Sequence, residues 1–354
     1  MDCVQSQTKH RSRTSGSVLI FVLALVVLLS VMAMRLMDES IREMEHVSQF
    51  HRRDDLRIHA YSALDITVGT LSEWKEIRGS LTARNRGWGN PLKYAEIAPP
   101  EGIKWNVGLT VENGKYSLEQ LRKDHTNRKT FLFEMMVDDE NDPVSPRDSL
   151  EYVDTFHDWE DKDDNHRLNG AESSDYYEDL EPVYFSPNRP IQSFNEFRLI
   201  KGFGHGLDDP EDSGLFFDAR SNETANVKNF KNSVSSWSSH KPNDLEATDF
   251  LLRFLFGENE SGFDQYMRQR AKGKEPSPAP GCERVCRVFR VKVTVSRGPA
   301  NFVLWAILED SSSKTNKPPP SNLSPEAKAA QKRFKALKYP YRILALRENE
   351  NFID

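Results

Sequence analysis

The sequence lacks the common catalytic motifs and has few cysteines. No HExxH motif, GxSxG motif or phosphate-binding glycine loop occurs in the chain, and each of these marks a reaction class. Of the three cysteines, Cys282 and Cys286 lie close together in the sequence. No second pair of cysteines is present to complete a cysteine metal site. These absences favour binding or assembly over catalysis.

Only one long hydrophobic run is evident, and it lies near the N-terminus. Residues 17–34 read SVLIFVLALVVLLSVMAM and carry no charge. As a helix, a run of this length just crosses a hydrocarbon core of about 30 Å. It continues into a charged helical pattern and lacks a small-residue cleavage site, so it is not a cleaved secretory signal. The run therefore predicts attachment to a membrane, with an ordinary single-span anchor as the simplest form.

The orientation of this anchor follows from the charges that precede it. Lys9, Arg11 and Arg13 lie before the run, which predicts a cytoplasmic N-terminus and an exoplasmic remainder. Cys282 and Cys286 then lie in an oxidising compartment, where a short-loop disulfide is possible but not required.

The negative charge is concentrated in one segment. The chain has a formal net charge of -6, yet residues 138–181 alone carry 17 acidic and 3 basic residues. The rest of the chain is therefore net basic. Such a field disfavours nucleic acid at this segment and favours cations.

Two groups of predicted strands flank a long interval of helical and loop character. An apolar helical stripe precedes the first strand, and Asn113-Gly114 directly after it predicts a tight turn. The sequence predicts an α+β fold, in which a long N-terminal α-helix packs on an antiparallel sheet and a large α-helical domain is inserted between the first strand and the later strands. The predicted strands are 103–111, 289–295, 301–308 and 341–346.

Within the interval, local signals place several further elements. Ser193 and Glu196 form a capping box ahead of an apolar helix that Gly202 closes. Another helix is predicted at 249–256. The remaining predictions are a loop at 221–244, a linker at 273–281 and a short basic helix at 325–337.

An acidic loop in the interval carries the spacing of a calcium ligand set. Counted from its first aspartate, oxygen-bearing side chains recur at positions 1, 3, 5, 9 and 12, as in loops that wrap calcium. His166 stands at position 6, where an EF-hand has glycine, so the prediction is a calcium-type loop and not an EF-hand. A solvated acidic loop is the alternative. The predicted ligands are Asp161, Asp163, Asn165, Asn169 and Glu172.

An enzymatic site is the other interpretation of this acidic segment. Dense carboxylates can hold a catalytic metal, and His157, His166 and His205 lie nearby in sequence. Lone histidines among acidic loop residues are more often surface residues than ligands. The alternative function is therefore a membrane-anchored exoplasmic metal-dependent hydrolase.

The motifs occur in an order that resembles a known family. A basic leader ending in Gly16 is followed by VENGKYSLEQL, DWEDKDDNHRLNGAESSDYY, NRPIQSFNEFRLIKGF, FRVKVTVSRGPANFVLWAIL and YRILALRE. In this order they resemble the K-type minor pseudopilin of type II secretion systems, general secretion pathway protein K. The resemblance covers most of the chain and is weak over 208–281.

The resemblance implies a pilin-like organisation of the chain. Its long helix would be the assembly helix, and its sheet would be interrupted by the inserted domain. The implied parts are a prepilin leader at 1–16, a transmembrane and assembly helix with its stalk at 17–75, a pilin-like α+β domain at 76–111 and 282–354, and an inserted α-rich domain at 112–281.

The resemblance also assigns roles near the N-terminus. A prepilin peptidase is expected to cut between Gly16 and Ser17, after which the new N-terminus is methylated. Most pilin-like proteins carry a glutamate at the fifth mature position, which neutralises a neighbour's terminal amine in the apolar filament. Phe21 occupies that position here, and the K-type subunit characteristically lacks the glutamate.

The function implied is that of a minor pseudopilin without enzymatic activity. It would cap the tip of the periplasmic pseudopilus and assist protein export across the outer membrane. Expected partners are other minor pseudopilins, the major pseudopilin, the prepilin peptidase and the inner membrane, with no nucleic acid. The chain would cross the inner membrane once and then reside at the pseudopilus tip. The family's inserted domain binds Ca²⁺, which supports the loop at 161–172.

A related assembly is the remaining alternative. A minor pilin of a type IV pilus or a DNA-uptake system shares the same leader and assembly helix. Residues 188–202 also suggest a nucleic-acid-binding helical hairpin, but the local negative charge opposes phosphate binding.

Overall fold

The computed structural model describes residues 15–138, 141–310 and 341–352. The chain divides into two units, Met1–Leu56 and Arg57–Asp354. Helix α1 has the bounds Ser15–Arg78. Within its segment Leu19–Met44, an 18-residue window reaches a mean hydropathy of 2.7, and this window is exposed. By length and composition this segment fits a single membrane span, as the sequence predicts.

The second unit mixes short helices with one main sheet. Short 3₁₀ helices lie at Arg84–Arg86, Glu112–Gly114, Tyr177–Asp179 and Phe194–Leu199. The other elements are, in chain order, α2 (Pro91–Tyr94), β1 (Lys104–Val111), β2 (Tyr116–Ser117), α3 (Leu118–Lys123), α4 (Thr126–Glu134), α5 (Pro146–Glu160), α6 (Ala225–Ser233), β3 (Val234–Ser235), α7 (Asp249–Phe256), α8 (Glu260–Ala271), β4 (Val288–Arg297), β5 (Ala300–Asp310) and β6 (Tyr341–Glu348).

The main sheet is antiparallel and has the strand order β1-β4-β5-β6. Val107 pairs with Val293 and Val293 pairs with Leu304, so the apolar positions of neighbouring strands lie side by side. All three of these side chains are buried. The four predicted strands and the position of the insertion between β1 and β4 are confirmed.

The C-terminal part of α1 packs on this sheet. Lys75 Nζ lies 2.6 and 2.7 Å from the two carboxylate oxygens of Asp310 at the end of β5. Arg57 Nε and the Tyr61 hydroxyl donate to Glu348 at the end of β6, at 2.8 and 2.7 Å. The predicted α+β fold, with a long helix on an antiparallel sheet, is confirmed. The buried stripe of the helix contains Ala60, Leu64, Val68 and Leu71.

The insertion has its own core, which is rich in phenylalanine. Phe197 lies at its centre, with ring centroids 5.1 Å from those of Phe203 and Phe216 and 5.4 Å from that of Phe230. The ring of Phe156 on α5 stacks on Phe197 at 5.9 Å. Rings at these separations contribute edge-to-face and stacking contacts beyond their buried area. This core fixes α5, which carries the acidic residues discussed below.

The predicted tight turn at Asn113-Gly114 is wrong. Residues Glu112–Gly114 form a turn of 3₁₀ helix, and neither residue has a positive φ angle. The reason is that β1 pairs with the distant β4 and not with the next segment, so no hairpin is needed. Asn113 is instead fully buried and bonds the chain ahead of β4: its Nδ2 donates to Val285 O at 2.8 Å, and its Oδ1 accepts from the backbone N–H of Arg287 and of Val288 at 2.8 and 3.1 Å.

Some of the other local predictions are confirmed and others are wrong. The capping box of Ser193 and Glu196 is present, but it starts a 3₁₀ helix, and the predicted helix at 249–256 is α7. The predicted loop at 221–244 is wrong, because it contains α6 and the strand β3, which pairs in parallel with β2. The many polar residues of this segment predicted a loop, but α6 has an apolar face on which Val227 and Phe230 are buried. The predicted helix at 325–337 lies outside the described residues.

Cys282 and Cys286 are not joined by a disulfide bond. Cys282 and Cys286 are both free thiols. Cys286 Sγ donates to the carbonyl of Thr82 at 2.9 Å and accepts from Asn243 Nδ2 at 3.2 Å. Burial raises the pKa of the Cys282 thiol to about 12, which keeps it protonated and unreactive at neutral pH.

The role of Asn113 can be tested by truncation. Asn113→Ala removes three hydrogen bonds to backbone groups that are buried or partly buried, so we expect the free energy of unfolding to fall by about 2–4 kcal/mol. Thermal and urea unfolding of the detergent-solubilised chain, followed by circular dichroism, measures this. Asn106→Ala on the exposed face of β1 is the matched control and should change stability by less than about 0.5 kcal/mol. Equal effects of the two variants would contradict the assigned role.

Candidate metal site

Helix α5 brings an aspartate to the edge of the insertion core. Ser145 caps its N-terminus by accepting from the backbone N–H of Asp148 at 3.1 Å, and Pro146 takes the first helical position. Phe156 and Trp159 on one face are buried, which orients the helix. Asp158 then lies in the last turn, where its side chain is also fully buried.

Three carboxylates meet at the C-terminal end of this helix. One carboxylate oxygen from each of Asp158, Asp161 and Glu172 lies within 4.8 Å of the others. Asp158 and Glu172 are fully buried, and Asp161 is half-buried. These three residues are called the carboxylate cluster below.

The cluster has fewer hydrogen-bond partners than its oxygens need. Asp158 Oδ2 accepts from the backbone N–H of Arg167 at 2.9 Å, and Glu172 Oε2 accepts from Ser186 Oγ at 2.7 Å. Asp158 Oδ1, Asp161 Oδ1 and Glu172 Oε1 are buried without a hydrogen-bond partner. The only nearby cation among the described residues is the half-exposed guanidinium of Arg167, whose Nε lies 3.4 Å from Asp158 Oδ1. Unpaired buried carboxylate oxygens are costly, so the site suits a cation.

The electrostatics of the carboxylate cluster also favour a bound cation. Burial raises the pKa of Asp158 to about 6 and that of Glu172 to about 7, and it also raises the pKa of Asp161. Two like charges at this separation repel by about 3 kcal/mol at an effective dielectric constant of about 20. The negative end of the α5 dipole adds to the unfavourable potential. A divalent cation would remove all three penalties at once.

The chemistry of the donor set fits a hard cation. All the converging ligand atoms are carboxylate oxygens, the donors that Ca²⁺ and Mg²⁺ prefer, whereas zinc sites favour nitrogen and sulfur. Gly170 closes one side of the cluster, because a Cβ at this position would overlap the Asp158 carboxylate. The backbone therefore approaches the cluster as closely as it does only because residue 170 is glycine.

The structure brings together two of the five predicted ligands. Asp161 and Glu172, at the first and last loop positions, lie in the cluster. Asp163 Oδ1 instead accepts from Asn165 Nδ2 at 2.7 Å, with both side chains exposed. Asn169 Nδ2 donates to Asp154 Oδ2 at 3.3 Å. The roles of these residues as metal ligands stay predictions.

Sequence reasoning missed Asp158. The count of loop positions began at Asp161, three residues later, although an i, i+3 spacing at a helix end places two side chains on the same face. That spacing, together with the close approach of Gly170, is the signal that could have found it. The EF-hand spacing excludes Asp158, because an EF-hand takes all its side-chain ligands from within the loop.

A neighbouring segment is hydrogen-bonded to the cluster. Ser186 Oγ contacts Glu172 Oε2, and it also lies 2.8 Å from Ser173 Oγ. Asn188 Nδ2 donates to Asp164 Oδ1 at 2.8 Å. The segment at 183–188 therefore depends on the acidic loop for its position.

The three histidines near the acidic segment lie outside the cluster. The imidazole of His157 contacts the buried Lys129 ammonium, and burial lowers its pKa to about 4. His166 pairs with Asp175 at 3.5 Å, and His205 Nε2 lies 3.1 Å from the Tyr184 hydroxyl. The geometry does not assemble them into a metal-dependent hydrolase centre with the carboxylates.

Comparison with known families identifies the region that contains the cluster. Residues 118–207 match the family model described as Type II secretion system (T2SS), protein K. The predicted resemblance to the K-type family is confirmed over these residues. The matched residues, called the K-type segment below, include α3, α4, α5 and the whole carboxylate cluster. The match ends near residue 208, where the motif resemblance also weakens.

A solved structure shares the fold of the chain. It is a chain of the GspK-GspI-GspJ complex from the enterotoxigenic Escherichia coli Type 2 Secretion System, with a TM-score of 0.50 and 10% sequence identity. The likeness covers 86% of this chain and 100% of that chain. At this identity it supports the fold. No curated protein matches the sequence.

The predicted processing residues lie at the start of α1. Gly16 and Ser17 fall within the helix, and Phe21 in the candidate membrane span is 70% exposed. Residues 1–14 of the predicted leader lie outside the described residues. The roles of Gly16, Ser17 and Phe21 in cleavage and assembly therefore stay predictions.

The raised pKa values give a pH dependence that can be measured in chelator. Asp158 and Glu172 have ordinary pKa values of 3.8 and 4.5 and folded values of about 6 and 7. The folded state then binds more protons than the unfolded state in this window, so these groups lower the free energy of unfolding as the pH rises from about 4 to about 7. We expect the melting temperature of the full chain in EDTA to be lower at pH 8 than at pH 5.5, and the double variant Asp158→Asn with Glu172→Gln to lose most of this slope. An unchanged slope in the double variant would contradict the assignment.

Proposed function

We propose that this chain is a minor pseudopilin of a type II secretion system that caps the tip of the periplasmic pseudopilus and assists protein export. The observation that carries the proposal is the match of the K-type segment, which lies in an insertion of a fold with an N-terminal apolar helix and an antiparallel sheet. In this proposal the protein acts by assembly and has no catalytic activity of its own.

The apolar helix would lie first in the inner membrane and later in the pseudopilus filament. Before assembly, its exposed side chains would face lipid in the inner membrane, with the N-terminus cytoplasmic and the second unit periplasmic. A prepilin peptidase would then cut between Gly16 and Ser17, and the new N-terminus would be methylated. After assembly the same apolar face would pack against other helices of the filament.

Phe21 supports a position at the tip. In an apolar filament interior, a buried terminal amine needs a carboxylate from a neighbouring subunit. The fifth mature position of this chain offers a phenylalanine and no carboxylate, so it provides no partner for the amine of a subunit above it. A subunit with this property suits the first place in a filament.

The proposed partners follow from the assembly role. The solved complex that shares this fold contains GspK together with GspI and GspJ. By analogy, we propose that this chain binds other minor pseudopilins and, through them, the major pseudopilin below.

The carboxylate cluster would hold Ca²⁺ in this assembly. Asp158, Asp161 and Glu172 would supply oxygen ligands, and the cation would neutralise their mutual repulsion. Because Ser186 is bonded to Glu172, the cation would also fix the segment that follows the cluster. Its role would be structural, as a staple of the K-type segment.

Leader processing tests the pseudopilin assignment. In cells with an active prepilin peptidase, we expect intact-mass and peptide mass spectrometry of the membrane-extracted protein to find a methylated N-terminus at Ser17. The same chain from cells without the peptidase is the control and should retain residues 1–16. An intact leader in the peptidase-positive cells would contradict the pseudopilin assignment.

Cation binding tests the ligand set. With Ca²⁺ in excess, at about 100 times its Kd, we expect the free energy of unfolding of the full chain to rise by about 2.7 kcal/mol. Differential scanning calorimetry with and without EDTA measures the accompanying rise in melting temperature. Asp158→Asn and Glu172→Gln should abolish it, whereas Asp163→Asn, whose carboxylate lies outside the cluster, should retain it. Loss of the effect in Asp163→Asn alone would favour the spacing-based ligand set and overturn the geometric one.

A further inference from the structure

Leu168 is an unusually exposed apolar side chain. It is 94% exposed, more than any other exposed large hydrophobic residue in the described part of the chain, including those of the candidate membrane span. A single exposed leucine is ordinary on a protein surface. This one lies in the acidic loop, two residues before Gly170.

The backbone on both sides of Leu168 is held in place. Arg167 donates its backbone N–H to Asp158 Oδ2 at 2.9 Å, and its carbonyl accepts from the N–H of Gly170 at 3.0 Å. Asn169 Nδ2 donates to Asp154 at 3.3 Å. The leucine is therefore presented outward by a fixed loop, and its presentation depends on the carboxylate cluster.

A second apolar element is attached to the same cluster. Val183 and Phe185 are 60% and 61% exposed, whereas Tyr184 between them is partly buried against the insertion core and Ser186 after them is buried. Tyr184 donates its hydroxyl to the carbonyl of Leu199 at 2.8 Å, and Ser186 Oγ donates to Glu172 Oε2. This alternation leaves the valine and the phenylalanine outward on a segment whose inner side chains are engaged.

Both elements are close to the cluster. Leu168 follows directly after a residue bonded to Asp158, and Phe185 directly precedes a residue bonded to Glu172. From standard chain dimensions, the Cα atoms of both lie within about 10 Å of the carboxylates that anchor them. A cation at the cluster would therefore order both elements together.

Three exposed acidic residues precede the second element in the sequence. Glu178, Asp179 and Glu181 are exposed, and in the described structure their carboxylates have no ion-pair partner. Unpaired acids beside exposed apolar side chains complement a partner that carries apolar side chains flanked by lysine and arginine. The same acids disfavour an anionic lipid surface.

We propose that Leu168, Val183 and Phe185 make up the apolar part of a docking surface, defined here as these residues with their acidic fringe. Its occupant would be a segment of a partner protein that presents apolar side chains flanked by lysine and arginine. The cluster with its cation holds the surface in its binding geometry, so this inference rests on the proposed cation site.

A defined peptide pair tests the surface on the full chain. The chain is placed in nanodiscs of zwitterionic phosphatidylcholine, and the probe is a fluorescein-labelled peptide with a Leu-Phe pair flanked by four lysines. The matched peptide carries glutamates in place of the lysines, and empty nanodiscs give the background. Fluorescence anisotropy measures binding in Ca²⁺ and in EDTA.

We expect binding of the peptide to depend on its charge, on Ca²⁺ and on the residues of the docking surface. The lysine peptide should bind in Ca²⁺ about tenfold more tightly than the glutamate peptide, and EDTA should weaken it. Leu168→Asn and Phe185→Ser should each weaken it by about fivefold or more. Leu150→Asn, which changes an exposed leucine of α5 outside the surface, is the control and should have no effect.

Two results would overturn the proposal. One is wild-type binding by Leu168→Asn and Phe185→Ser, and the other is equal binding of the two peptides. Calorimetry on the same samples separates this failure from that of the cation site. A melting temperature raised by Ca²⁺ together with wild-type peptide binding by both variants overturns the surface alone. No Ca²⁺ effect on melting, with peptide binding that still depends on Leu168, overturns the cation and its control of the surface.

Discussion

The arrangement of the K-type segment depends on one electrostatic constraint: three carboxylates share a small, largely buried volume at the negative end of a helix. Asp158, Asp161 and Glu172 cannot all be ionised there without strong mutual repulsion. The surrounding loop nevertheless folds onto them, with Gly170 permitting close approach and Ser186 reaching in from another segment. In the proposed Ca²⁺ site, a cation would offset this repulsion at neutral pH and would be a structural part of the domain.

A second constraint ties the insertion to the main sheet. The strand that leaves for the insertion and the strand that returns are neighbours, so the two crossing points lie side by side. Asn113 at the exit bonds the backbone just ahead of β4 at the return. The two ends of the insertion are therefore held together by the pairing of β1 with β4 and by the buried side chain of Asn113.

The sequence predicts periodic elements well and long-range ones poorly. The strands and the apolar helix follow from side-chain alternation and hydropathy, which are local properties. The Asn113-Gly114 turn failed because its true partner is distant in sequence, and α6 was hidden among polar residues although its apolar face is buried. At the cluster, the spacing from Asp161 to Glu172 identified two of the three carboxylates. Asp158 and Ser186 join through the fold of the chain, which no loop template contains.

Terbium luminescence tests the central claim most directly, because the buried Trp159 is adjacent in sequence to Asp158 and is expected to transfer excitation energy to a lanthanide in the cluster. We predict that Tb³⁺ added to the full chain gives tryptophan-sensitised emission that saturates at one ion, is displaced by Ca²⁺, and is lost in the double variant Asp158→Asn with Glu172→Gln. Sensitised emission that survives in the double variant, or its absence from the wild-type chain, would contradict a cation held by these carboxylates.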